Sequence, residues 1–129
     1  VCRRALLKDA DGVTVFEIKG VNGSFSRQNV NQVDSHRERL SLPATTLGIL
    51  IMNTVMSAES LADKDQAPHP DIIKKAVADK VLLLRTVDLL RCADLCQTGV
   101  LSKEAFRGAL LSQGGWLRVD GDKVVLVSE

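Results

Sequence analysis

The chain has 129 residues, 45% hydrophobic and 26% charged, with a net charge of +1, which fits one globular domain able to bury its own core. A charge so near zero excludes a global pull toward nucleic acid or membrane, so any anion site must be a local patch. Aromatics make up 3%, namely Phe16, Phe25, Phe106 and Trp116 with no Tyr, too few for the base-stacking platforms of OB-folds and RNA-recognition motifs.

Cys2 to Lys8, with Ala5, Leu6 and Leu7 inside it, is followed by Asp9-Ala10-Asp11-Gly12 and then by Val13-Thr14-Val15-Phe16-Glu17-Ile18-Lys19-Gly20. Asp-Gly between two such runs predicts a hairpin. Alternation along the second strand puts Val13, Val15, Glu17 and Lys19 on one face and Thr14, Phe16 and Ile18 on the other. Glu17 and Lys19 then stand roughly 6–7 Å apart at the rise of a strand. Gly20-Val21-Asn22-Gly23-Ser24 breaks the pattern. Ser26 is placed to cap a helix to about residue 40, with Val30, Val33, Arg37 and Leu40 along one side. So polar a helix is expected on the surface, and Gln28 and Gln32 are neighbours on it.

Leu47 to Met52 is apolar without alternation, as a central strand covered on both faces should be. Residues 54–68 form a long polar connection in which Asp63, Lys64 and Asp65 read as a solvated loop. Pro70 opens a helix with Ile72, Ile73, Ala76 and Val77 inward, and Val81 to Leu84 is a second buried strand. Thr86 is expected to cap the next helix, which Gly99 stops. Ser102-Lys103-Glu104-Ala105 starts the last helix. Trp116 to Val119, Asp120-Gly121-Asp122 and Val124 to Val127 close as a hairpin. Apolar strands alternating with helices make the fold α/β: a mixed central sheet flanked by helices, with a C-terminal helix and β-hairpin as an extension.

Cys2, Cys92 and Cys96 make no disulfide framework, which points to a reducing, cytoplasmic setting. Cys92 and Cys96, four apart on one helix, lack the further ligands of a metal site and read as core. No apolar run approaches the ~20 residues needed to cross a bilayer, so no membrane partner is expected. The chain opens on Val rather than Met, and a fragment of a larger chain is expected. His36 and His69 have no ligand-spaced partner, so surface and turn roles are expected of them.

The order hairpin, helix, buried strand, with Glu17-Ile18-Lys19 ending the second strand and Gln32 on the helix, resembles the PD-(D/E)xK, restriction-endonuclease-like nucleases. The segments "GILIMN" and "LLLRTVDLL" also look like strand–helix units of bacterial members. The resemblance covers roughly residues 4–98, with residues 99–129 as an addition within one domain, 1–129. It implies Mg²⁺- or Mn²⁺-dependent hydrolysis of DNA phosphodiesters, which needs an activated water and neutralisation of charge on the phosphate oxygens. Glu17 would be a carboxylate ligand of the metal and the Ile18 carbonyl another. Lys19 would orient the water or stabilise developing charge, and Gln32 would place the phosphate or the water. Lys8 and Arg27 would hold flanking phosphates.

The family also carries an Asp on the strand beside the Glu. With Ala10-Asp11 at the hairpin tip, residue 9 faces residue 12 and the position opposite Glu17 is Arg4. Asp9 and Asp11 then lie some 16 Å or more from Glu17. Either the acid precedes Val1, or the register differs, or the acid is absent and Arg4 pairs with Glu17. The last case makes an inactive nuclease-fold module for nucleic-acid recognition, sensing or oligomerisation. A homodimer or fusion to another domain fits either reading. A nucleotide- or small-molecule-binding α/β domain is a third option, but no Gly-rich phosphate loop is present.

Overall fold

The computed structural model describes residues 2–9 and 12–129. Its elements are β1 (Cys2–Asp9), β2 (Gly12–Gly20), α1 (Arg27–Arg39), β3 (Gly48–Asn53), α2 (Leu61–Lys64), α3 (Pro70–Ala78), β4 (Val81–Arg85), α4 (Thr86–Gln97), α5 (Lys103–Leu110), β5 (Gly115–Asp120) and β6 (Lys123–Val127). The strands form one six-stranded sheet in the order β1-β2-β3-β4-β5-β6. β2 to β5 run parallel, and the outer pairs β1–β2 and β5–β6 are antiparallel. The class is α/β, a mixed sheet flanked by helices.

Both faces of the sheet are apolar at the centre, which is why β3 and β4 carry unbroken apolar runs. Leu50, Met52, Val81 and Leu83 pack with Val30 and Val33 of α1 and Ile72, Ile73 and Ala76 of α3. Ile49, Leu82, Leu84 and Leu117 form a second cluster, against which Leu89 of α4 and Phe106 and Leu110 of α5 pack. α1 is therefore half inside the protein rather than lying on it: Asn29, Val30, Val33 and Arg37 are all buried.

The caps follow from local chemistry. Ser26 Oγ accepts the Asn29 N–H and Asn29 Oδ1 accepts the Ser26 N–H at 2.9 Å, a closed capping box. His69 Nδ1 accepts the Asp71 N–H at 3.1 Å, with Pro70 beginning α3 behind it. Thr86 departs from the expected cap. It is the first residue inside α4, and Arg85, the last of β4, holds the cap position. Asp88 explains this, because its Oδ2 accepts the Arg85 N–H at 3.0 Å and lets strand pass into helix with no loop.

The connection after β3 is solvent-exposed at Asp63 and Asp65, as expected, but it is tied down. Ser60 Oγ caps the single turn α2, and Lys64 Nζ donates to Asn53 Oδ1 at 2.7 Å. Asp65 is held by two arginines, as described below.

Candidate functional site

The β1–β2 register sets the site. Arg4 stands opposite Glu17, Asp9 opposite Gly12 and Cys2 opposite Lys19. Asp11 lies outside the described residues. Glu17 lies five positions after Gly12, so the Asp9 backbone is about 16 Å from Glu17 along the strand.

Hydrogen-bond phase follows from β3. The Val15 and Val21 N–H groups donate to Leu47 and Asn53 carbonyls at 3.1 and 3.0 Å, so odd-numbered residues of β2 bond toward β3 and even-numbered ones toward β1. The Ile18 carbonyl is thus turned into the β1 ladder, where Arg3 is its partner residue. Arg4 and Glu17 form the other kind of pair, with Cα atoms about 4.5 Å apart and side chains drawn together.

Glu17 is 1% exposed, while Lys19 two positions on is half-buried. Both share a face with Val15, which has no exposure. Helix α1 packs across this part of the sheet, and Gln32 and His36, one turn apart, are half-buried on it. His36 is a correction to the sequence reading, which left it on the surface. Its Nδ1 is buried and makes no hydrogen bond within the protein. Its pKa is lowered from 6.5 first by burial and then by the positive charge of Arg4, opposed by Glu17 and reinforced by Arg39. One environment therefore gathers Arg4, Glu17, His36 and Arg39. Sequence could place Gln32 and His36 on one stripe by spacing, but not that stripe over β2.

Lys8 and Arg27 are both exposed and stand away from this group. Lys8 faces Val13, about 13 Å from the level of Glu17, and Arg27 begins α1. They are not part of this group.

The chain matches no family model, no curated protein and no solved structure. The resemblance to PD-(D/E)xK nucleases is therefore one of sequence pattern alone, carried by Glu17, Lys19, Gln32 and the order of elements.

The donor set decides what chemistry is at hand. Among the described residues, no three His, Cys, Asp or Glu side chains gather where they could hold a metal ion. Mg²⁺ demands near-octahedral oxygen donors, usually with more than one carboxylate or a substrate phosphate. Here Arg4 occupies the position opposite Glu17, and the Ile18 carbonyl is turned into the sheet. The described residues do not fit Mg²⁺ or Mn²⁺. They do fit an anion: Arg4, Lys19 and Arg39 outnumber Glu17 in a chain whose net charge is only +1.

Proposed function

We propose that the domain is a nuclease-fold module that recognises the DNA backbone through the surface where α1 meets the β1–β2 hairpin. The observation that supports this most is the Arg4–Glu17 register, which puts a cation where a nuclease of this type has an acid. Arg4, Lys19 and Arg39 supply phosphate contacts, and Gln32 supplies an amide. Glu17 orients Arg4 and limits the local positive charge. Lys8 and Arg27 extend the contact surface at either side. A cytoplasmic setting is part of this reading, supported by the free thiols Cys92 and Cys96; burial pushes the Cys92 thiol up to about 11, away from reactivity. Among the described residues no helix is long and apolar enough to cross a membrane.

The test is the salt dependence of duplex DNA binding, followed by fluorescence anisotropy. Lys19→Ala and Arg4→Ala should each weaken binding on any sequence and lower the slope of log K against log salt by about 0.9. Glu17→Gln should tighten it. Wild-type protein with no measurable affinity at low salt, or variants that bind as well as wild type, would sink the reading.

A second reading is Mg²⁺- or Mn²⁺-dependent hydrolysis of DNA, favoured by the burial of Glu17 two residues before Lys19. A bound metal would supply an activated water, and the reading needs a second carboxylate beside Glu17. Nicking of supercoiled DNA that requires the metal and is lost in Lys19→Ala would establish it.

A further inference from the structure

A second cationic cluster lies at the other end of the parallel strands' carboxyl edge, apart from Glu17. Arg85, Arg91 and Arg118 line a cavity of about 230 Å³ together with Trp116 and Asp120, and Asp65 projects into it from the connection after β3. Arg85 is 2% exposed and Asp88 fully buried. Asp88 grips Arg85 through its Oδ2 to Nε at 2.8 Å and its Oδ1 to NH2 at 2.6 Å. Arg118 meets Asp120 at 3.4 Å. Asp65 takes what is left: one oxygen accepts from Arg85 NH1 at 3.0 Å, and both accept from Arg91 at 3.3 Å.

Charge decides what the cavity suits. Asp88 and Asp120 offset two of the three guanidiniums, so the wall without Asp65 keeps one net positive charge. Asp65 supplies the single negative charge that balances it. Its carboxylate is held low first by the hydrogen bond from Arg91, against a smaller opposing effect of burial.

Asp65 is also the most displaceable member. It caps α2, a four-residue helix with no buried residue, and its side chain is 45% exposed. The location favours a ligand as well. The chain leaves β3 toward the α1–α3 face and leaves β4 directly into α4 on the other face. Adjacent connections that part in this way open a crevice at the carboxyl ends of the strands, where open α/β sheets bind ligands.

We infer that this cavity is an oxyanion seat with Asp65 as its resident carboxylate, and that it takes a singly charged phosphate ester in Asp65's place. Arg91 and Arg118 hold the ester oxygens, and Arg85, locked by Asp88, provides the floor. The ester belongs either to a small phosphorylated molecule or to a nucleic-acid strand.

The one tryptophan of the chain reports on the seat. Trp116 Nε1–H donates to Asp88 Oδ2 at 3.0 Å, and its ring lies 4.8 Å from the Arg85 guanidinium and 5.8 Å from that of Arg118. Its indole N–H resonance is followed in wild type, Asp65→Asn, and the double variant Asp65→Asn with Arg118→Gln. The probes are dimethyl phosphate and a short oligothymidylate. Asp65→Asn should saturate at a concentration roughly tenfold below wild type, and the double variant should lose the response. Tighter saturation by the oligonucleotide assigns a nucleic-acid strand, and equal saturation assigns a small ester. Arg91→Gln in the otherwise natural chain serves as a second variant should Asp65→Asn fail to fold, and it should abolish the wild-type response. No saturating shift in a folded Asp65→Asn, or an equal response after Arg118→Gln, overturns the seat. Because Glu17, Lys19 and Arg4 are untouched, that failure leaves the DNA-backbone reading to stand or fall by itself.

Discussion

His36 and Asp65 carry the protein's clearest pH signatures, and they lie in separate windows. The His36 pKa in the folded protein is below 6.5, so between that lowered value and 6.5 the unfolded chain holds the proton and the native one does not. Stability therefore rises with pH across that interval and is lost as pH falls below 6.5. Arg4 and Arg39 oppose a charged imidazole there, and Glu17 favours it less than burial and the arginines disfavour it. Asp65 is held below 3.8, so its contribution is present above 3.8 and disappears as pH falls through the depressed value. Urea midpoints across the acid range should show both limbs. His36→Gln should flatten the upper limb alone and Asp65→Asn the lower one alone. An unchanged upper limb in His36→Gln would mean that His36 is not the group titrating. Neither residue could be assigned this behaviour from sequence, because the partners that decide it are remote. Arg4 reaches His36 through the hairpin register, and Arg85 lies 20 residues from Asp65.

Elements were largely legible because their signals are local. The alternation in β2, the unbroken apolar runs of β3 and β4, the Ser26 cap and the Pro70 helix start all act within a few residues. The register of β1 against β2 also follows from the turn, which sets Arg4 opposite Glu17. The sequence missed what holds elements to one another. Arg37 falls on the stripe of Val30 and Val33, yet its burial depends on carbonyls 42 and 43 residues away: NH1 donates to Asp79 O at 2.7 Å and NH2 to Lys80 O at 2.6 Å. Those carbonyls end α3 and lead into β4, and the guanidinium caps them as a cation at a helix C-terminus should. Arg37→Ala should lower stability by about 3 kcal/mol, since two buried carbonyls lose charged donors. The loss should appear as a lower urea midpoint at an unchanged slope. Gly48 guards the same contact. A Cβ there would meet Val33 Cγ1 and approach Arg37 NH2, so Gly48→Ala should push α1 off β3 and cost about 1–3 kcal/mol. A cost near zero for either variant would show that α1 is not clamped here.

Across the whole molecule, stability and binding surfaces divide along the sheet. β4 is buried at every residue, whereas residues 3 to 8 of β1 are all exposed and neighbour only β2. Sequence could not give this order, because parallel pairing leaves no short-range mark on strands that are apolar on both faces. The hydrogen-bond phase makes the consequence specific. Arg3, Ala5 and Leu7 turn their amides to β2, and Arg4, Leu6 and Lys8 turn theirs outward. An open edge of this kind invites a second strand, but Arg3, Arg4 and Lys8 guard it. A two-fold antiparallel pairing in this phase, centred on Leu6, would set Arg4 against Lys8, like charges directly opposed. The isolated domain should therefore be monomeric, although a homodimer is the easiest assembly for an open edge to form. Hydrogen exchange by NMR should show an alternating pattern along β1, with residues 3, 5 and 7 slowed and residues 4, 6 and 8 exchanging nearly freely, while β3 and β4 amides wait for global unfolding. Sedimentation should give one species at every concentration. Protection of residues 4, 6 and 8 that grows with protein concentration would reverse the conclusion, because only a copy of the chain laid along β1 can supply those acceptors.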